Sequence, residues 1–325
     1  MPFAYSRRAV LTALAAAAMA AAARADDYPS RPVKIIVPFG AGGPTDIFVR
    51  EIAVDIEQSL HQPFVIENRP GAGTTVGTEF VAKSTPDGYT LLMASSTQTV
   101  NETLYNDKPY QLLRDLVPIA PLEENDLVLV VNPSVPAKNL TEFLALARTK
   151  PGTINYGSSG PGSNYHMAGE LLKNLTGIDI VHVPYKGSTG MRTDILSGQI
   201  QMLFDSVPTM APLVKSGMVR ALGTSGLTRS PILPDVPTIA EAGVAGFQFS
   251  QWTGFMAPKD TPAQVVNLLN KTITGILSRP DVKDAWEKQG ATPMVMTQRE
   301  FAAFMTAQVA KWAKVISDNH IKPID

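Results

Sequence analysis

A chain of 325 residues with 44% hydrophobic and 18% charged side chains is globular, too apolar for a disordered chain and too often interrupted for a membrane bundle, and long enough for two compact domains. A formal charge of −1 offers no basic surface for nucleic acid. The absence of cysteine excludes disulfides, thiolate nucleophiles, cysteine-ligated zinc and a lipid-modified cysteine.

The first 25 residues read as a secretory signal peptide. Arg7 and Arg8 supply the positive region, Ala9 to Ala23 is an apolar run broken only by Thr12, and Ala23-Arg24-Ala25 is a small-x-small cleavage site before Asp26. The run is shorter than the ~20 residues that span a bilayer, so a retained anchor is the weaker reading. Ser6-Arg7-Arg8 leaves both the general secretory and the twin-arginine route open. The mature chain is expected in the periplasm, unanchored, with a monomer as the default.

Val33 to Phe39 predicts a short buried strand, broken by Gly40-Ala41-Gly42-Gly43-Pro44. Thr45 or Asp46 is placed to cap a helix carrying Ile47, Val49, Ile52, Ala53 and Ile56 at helical spacing. The same grammar repeats: strand Phe64 to Asn68, a loop through Arg69-Pro70-Gly71-Ala72-Gly73, helix Thr75 to Lys83, and strand Tyr89 to Ala94 entered by the Pro86-Asp87-Gly88 turn. Such alternation means a parallel sheet flanked by helices. It restarts with strand Leu127 to Val131, helix Leu140 to Thr149, strand Ile154 to Gly157, a glycine-serine loop over Ser158 to Ser163, and helix Asn164 to Leu175. Strand Ile178 to Val183, helix Met191 to Ser197 and strands Ile200 to Asp205 and Val219 to Gly223 follow. After Phe247 to Met256 the pattern turns helical, over Ala263 to Leu277, Pro280 to Gln289 and Arg299 to Asp318. Two rounds joined by two strand-like crossings, near Asn125 to Val131 and Gln251 to Met256, predict two α/β lobes. Lobe 1 takes residues 26–125 and 252–325, and lobe 2 takes 126–251. Ligands of open α/β sheets bind at the carboxyl ends of strands, so a cleft between the lobes would collect those loops.

The loop from Gly40 to Asp46 can cradle an anion on free backbone N–H groups at a helix start, or be a plain tight turn. A third glycine is missing at position 45, so it is not a dinucleotide fingerprint, and no Gly-Lys-Ser/Thr phosphate loop occurs. The loop Gly157 to Asn164 offers the same chemistry in the other lobe, through Ser158, Ser159, Gly162, Ser163 and Asn164. Pro161 rules out a nucleophile elbow. Ser95, Ser96 and Thr97 would line the same mouth. Asp205, at a strand end, can bond a ligand or pin neighbouring N–H groups, and pinning is the better-supported role. His61, His166, His182 and His320 include no metal-ligand spacing, so no metal or cofactor is expected. His166 could face the cleft, although a structural histidine is the safer reading. Trp252 is by default a core residue.

The chain resembles the substrate-binding receptors of tripartite tricarboxylate transporters, the Bug receptors. The resemblance rests on Tyr28-Pro29-Ser30-Arg31-Pro32, Val37-Pro38-Phe39 with Ala41-Gly42-Gly43 and Asp46, and Glu67-Asn68-Arg69-Pro70-Gly71-Ala72-Gly73. It continues through Pro86-Asp87-Gly88-Tyr89-Thr90-Leu91-Leu92, Val183-Pro184-Tyr185-Lys186-Gly187, Phe204-Asp205-Ser206 and Leu233-Pro234-Asp235-Val236-Pro237-Thr238. Trp252-x-Gly254 and Ala257-Pro258-x-x-Thr261-Pro262 complete it. These fragments stand in family order over nearly all of the mature chain. The resemblance implies a two-lobed, type II-like periplasmic binding fold that closes on a carboxylate. It places Phe39, Ala41, Gly43 and Thr45 in the binding loop, Asp46 at the helix start, and Ser158 to Asn164, Tyr185 and Asp205 on the opposing wall. It also implies a large and a small integral membrane subunit as partners. Pro44, Thr74-Thr75 and Glu102 depart from the family pattern: Pro44 removes one N–H donor, and Thr75 adds a methyl group and a hydroxyl near the cleft. The expected function is capture of a mono- or dicarboxylate, aromatic ones included. The alternatives are a sensory binding module or an exported carboxylate-processing enzyme using Asp205 or His166.

Overall fold

The computed structural model describes residues 28–42, 44–318 and 321–324, so the expectations for the leader, Gly43 and His320 lie outside the described residues. In the first lobe, β1 (Val33–Val37), β2 (Phe64–Asn68) and β3 (Thr90–Ser95) run parallel in the order β2-β1-β3. They are linked by α1 (Pro44–Leu60) and α2 (Thr75–Ala82). The unbroken apolar run of β1 reflects burial on both faces. Val33, Ile35 and Val37 pack with Phe48, Val49, Ile52 and Ile56 of α1, while Ile36 turns the other way, toward Leu92, Trp252 and Met256.

Two short helices, α3 (Ser96–Leu104) and α4 (Leu112–Asp115), lead into β4 (Leu116–Val131), which belongs to both lobes. Its second half opens the other lobe. There α5 (Leu140–Thr149), β5 (Asn155–Ser158), α6 (Asn164–Thr176), β6 (Val181–Pro184), α7 (Ser188–Ser197), β7 (Met202–Ser206), α8 (Val207–Lys215) and β8 (Arg220–Thr224) alternate. β5 lies between β6 and β7, parallel to both. One contiguous core, including Val128, Val130, Met167, Met202, Phe204 and Phe247, fills this lobe. The chain returns along β9 (Ser250–Pro258) and closes the first lobe with α9 (Ala263–Leu277), α10 (Pro280–Lys288), the short β10 (Thr292–Pro293) and α11 (Gln298–Asp318).

β4 is much longer than the strand predicted from Leu127 to Val131. It pairs antiparallel with β9 from Leu116 opposite Pro258 to Asp126 opposite Ser250, then from Leu127 onward with β7 and β8. Pro118 and Pro121 conceal its first half in the sequence. Proline lacks the ladder donor, and the register shifts beside each of them, as bulges allow. The α8 helix is likewise obscured by Pro208 in its first turn and Pro212 inside it. Trp252 is buried and packs edge-on against Phe301 and Phe304, so it is a core residue.

The β4–β9 pair leaves no room over Gly254. A Cβ there would stand 2.6 Å from Phe301 Cζ and 2.8 Å from the Ala120 carbonyl oxygen. The substitution Gly254→Ala is therefore expected to destabilise the protein by about 1–3 kcal/mol through overpacking. Thermal unfolding should show a midpoint lower by several degrees, and an unchanged midpoint would mean that the crossing is loosely packed.

Candidate functional site

The strand registers align the loops that follow them. In the first lobe, Val37 opposite Asn68 and Ile36 opposite Leu92 bring the 38–42 loop, Asn68 and Ser95–Ser96 to one edge. In the second, Ser158 opposite Pro184 and Gly157 opposite Leu203 bring Ser158, Tyr185 and Asp205 to one edge. The two edges face each other. Ser96 Oγ, at the start of α3, donates to Asn164 Oδ1, at the start of α6, at 2.9 Å. A Cβ on Gly162 would lie 3.2 Å from Asn101 Oδ1 and 2.6 Å from Leu104 Cδ2, so the second-lobe loop rests against α3.

On the first-lobe edge, Asp46 organises the loop. It is buried, accepts the Gly42 N–H at 2.9 Å and an Asn68 amide N–H at 2.9 Å, and forms a two-pronged pair with Arg50 at 2.8 and 3.2 Å. Asn68 also donates to the Phe39 carbonyl at 3.1 Å. Burial alone would raise the carboxyl pKa, but the Arg50, Gly42 and Asn68 hydrogen bonds outweigh it and hold Asp46 below the usual carboxylate range. The Gly42 amide is thus engaged by the protein, and Phe39 is half-buried beside an exposed Ala41. Pro44 and Thr45 open α1 directly after this loop.

Ser95 caps α3 in a reciprocal box with Gln98, and Thr97 is buried in the first turn. Asn101 donates to the Gly73 carbonyl and, at 3.3 Å, to Thr74 Oγ1, tying α3 to the turn before α2. Thr75, the first residue of α2, is half-buried behind that turn. Gln98 Nε2 and Asn101 Oδ1 are buried with no protein partner, and such atoms call for water or a ligand's polar groups.

The second-lobe edge is more fully occupied by its own hydrogen bonds. Ser158 Oγ lies 2.6 Å from His182 Nε2 and accepts the Gly160 N–H at 3.1 Å, while the Ser159 carbonyl accepts from Gly187 at 3.3 Å. His166 Nδ1 accepts the Gly162 N–H at 3.1 Å, and Ser163 Oγ caps α6 by accepting from His166 N. The two imidazoles stack at 4.0 Å. Burial pushes His166 down to about 4 and His182 to about 3, so both are neutral at physiological pH. Tyr185 donates to Asp194 at 2.6 Å. Asp205 is fully buried. It is gripped by Arg192 at 2.6 Å through Nε and 3.0 Å through Nη2, and accepts the Ser206 N–H at 2.8 Å.

From the cleft a polar seam runs into the crossing strands. Asn164 Nδ2 donates to Gln251 Oε1 at 3.2 Å, Gln251 to Asn125 at 2.6 Å, and Asn125 to Glu123 at 2.8 Å, with Thr253 donating to the other Glu123 oxygen at 3.0 Å. Burial is the main cause that raises the Glu123 pKa to about 7, with the Glu124 charge adding to it, and the Asn125 and Thr253 bonds only partly offset this. Sequence reasoning missed Asn68, Asn101, Arg192 and, beyond Asn164, the rest of the seam. One signal for the seam was present, polar residues two apart at Glu123 and Asn125 and at Gln251 and Thr253, which mark one side of each strand, and the Ser95-x-x-Gln98 capping box marked the start of α3. A concavity of about 750 Å³ in the first lobe, beside Arg31, Arg69, Phe80 and Lys83, is not part of this cleft, and these cations are paired with Asp87, Glu67 and Glu79.

Two α/β lobes whose strand edges meet across a polar cleft define a solute-binding receptor. The sequence profile of the tripartite tricarboxylate transporter family receptors matches residues 48–321. Protein BugT of Bordetella pertussis is 38% identical over 95% of both chains. Among solved structures, an R. palustris protein with adipate superposes with a TM-score of 0.86 at 33% identity, covering 91% of this chain and 100% of that one. MatC of Rhodopseudomonas palustris with bound malate does so with a TM-score of 0.81 at 32% identity, over 89% and 100%. The chain belongs to the tripartite tricarboxylate transporter receptor family, whose members are periplasmic solute-binding receptors. Among the described residues no helix is long and apolar enough to cross a membrane.

Glu123 makes stability depend on pH in a definite sense. Its folded pKa, about 7, lies above the unfolded value of 4.5, so its favourable contribution is complete below pH 4.5 and is lost as pH rises through 7. The substitution Glu123→Gln keeps a hydrogen-bonding group and removes the titration. It is expected to gain on the order of 3 kcal/mol relative to wild type between pH 4 and pH 8. Denaturant titrations at both pH values measure this, and parallel pH trends in the two proteins would refute it.

Proposed function

We propose that the cleft captures a small mono- or dicarboxylate, aliphatic or aromatic, and that the receptor hands it in the periplasm to a transporter built of one large and one small membrane subunit. The observation that carries this reading is the meeting of the two strand edges at the Ser96–Asn164 hydrogen bond, which sets two loops, each leading into a helix, on one crevice. A buried carboxylate needs oriented donors, because an uncompensated one costs several kcal/mol. In this reading lobe 1, residues 26–125 and 252–325, presents Phe39, Ala41, Gly43, Pro44, Thr45 and Asp46, with Thr75 and Ser95 to Thr97 beside them. Lobe 2, residues 126–251, presents Ser158, Ser159, Gly162 to Asn164, His166, Tyr185 and Asp205. The adipate and malate in structures of relatives fit that chemistry.

The side chains an enzyme would need are engaged elsewhere. His166 is neutral and accepts from the backbone, and Asp205 is held by Arg192, which supports binding over catalysis.

The test is a carboxylate panel on protein unfolded, freed of any co-purified solute, and refolded. A cognate ligand at 100 times its Kd should stabilise by about 2.7 kcal/mol, seen as a higher melting temperature and confirmed by calorimetry. In the cognate complex, Asn164→Ala should weaken binding by roughly 3- to 10-fold through loss of its cross-cleft hydrogen bond. No shift with any mono- or dicarboxylate would sink the proposal. Uptake of the cognate acid should fall in a deletion strain.

A further inference from the structure

We infer that Arg192 is the residue that distinguishes a diacid from a monoacid in this cleft, by binding the ligand's second anionic group. The inference rests on the carboxylate-receptor reading above and adds to it a residue and a discrimination.

Arg192 sits one turn into α7, on the strand-end edge of the second lobe, where it reaches Asp205 at the end of β7. The pair is lopsided. Asp205 is wholly buried, whereas 24% of the Arg192 side chain is exposed. Nε and Nη2 grip the carboxylate, so Nη1 takes no part in that fork. A guanidinium clamped on one side by a buried acid is already ordered, and little conformational freedom remains to be lost when its other side meets an anion. Tyr165, from the first turn of α6, is buried against the same pair and hydrogen-bonds with both of its members. Burial and the adjacent Asp205 charge push its pKa far up, so its hydroxyl keeps its proton.

The second lobe has need of such a group. Several backbone donors of its glycine-serine loop are engaged internally, Gly162 by His166, Gly160 by Ser158 and Ser163 by the Gly160 carbonyl, and the His166 N–H at the start of α6 is taken by Ser163. Lys186, the other cation on this edge, is exposed, and its charge is correspondingly screened. The first lobe differs. There the Arg50 fork on Asp46 also reaches Asn68, fastening the loop that leads into the N-terminus of α1. One end of a ligand can therefore rest on helix-terminal amides and the other on Arg192.

A simpler role for Arg192, neutralising Asp205, makes a different prediction, and the experiment separates the two. Calorimetry on refolded wild type, Arg192→Gln and the double variant Arg192→Gln with Asp205→Asn would compare adipate with hexanoate and succinate with butyrate. The double variant removes the uncompensated buried carboxylate and keeps the test valid where the single variant misfolds. Wild type is expected to prefer the diacid of one pair, and both variants to lose that preference by about 10-fold or more, the scale of a charge-assisted hydrogen bond. Recovery of the preference in the double variant would overturn the inference, since charge neutralisation would then suffice. Equal affinity of wild type for diacid and monoacid would overturn it too. Wild type that binds none of the four acids, nor any of the wider panel, would instead remove the receptor reading on which it stands.

Discussion

The antiparallel pairing of β4 with β9 is the constraint from which the rest of the molecule follows. Both chain crossings between the lobes are these two strands, hydrogen-bonded to each other from Leu116 opposite Pro258 to Asp126 opposite Ser250. Because they form one ladder, the lobes are joined through a continuous sheet and not through two independent linkers. The ladder also has a chemical interior. Glu123, Asn125, Gln251 and Thr253 satisfy one another in a buried row that ends at Asn164, in the cleft. Buried polar networks of this kind fix geometry when every member is paired.

The cleft loops depend on a second device, used once in each lobe. A carboxylate, at the helix start after β1 in one lobe and at the end of β7 in the other, is taken out of water, made acceptable there by a two-pronged arginine, and set to hold a backbone N–H of its own loop or strand end. Asp46 with Arg50 holds Gly42, and Asp205 with Arg192 holds Ser206. A half-made version would leave a buried charge uncompensated, so each pair is a strong determinant of local backbone position. The same pairs place a guanidinium beside each strand edge, where structural and recognition chemistry meet.

Much of this was legible in the sequence, and the gaps have physical causes. The α5 helix stands at Leu140–Thr149 as periodicity predicts, and β2 at Phe64–Asn68, because local pattern and tertiary role agree there. The first half of β4 was not legible: two prolines and three acids argue against a central strand until bulges and buried partners accommodate them. The α3 helix, rich in serine, threonine and asparagine, has weak intrinsic propensity and owes its start to the Ser95–Gln98 box and its interior to Val100 and Leu104 in the second core. Glycine loops could be located from sequence, but which of their amides are already engaged could not. That depends on contacts such as Gly162 with His166 and Gly42 with Asp46. Arg192 escaped notice because its meaning comes from a partner thirteen positions away on another element.

The long α11 helix has a mechanical meaning. Its first half, through Phe301 and Met305, is embedded in the first-lobe core beside Trp252, whereas Trp312 and Ile316 are embedded in the second, with Trp312 tilted against Phe249 at 5.1 Å. A rigid rod rooted in both bodies is a strut across the joint. Relative movement of the lobes would have to bend this helix between Met305 and Trp312 or shift Trp312 in its packing against Phe249.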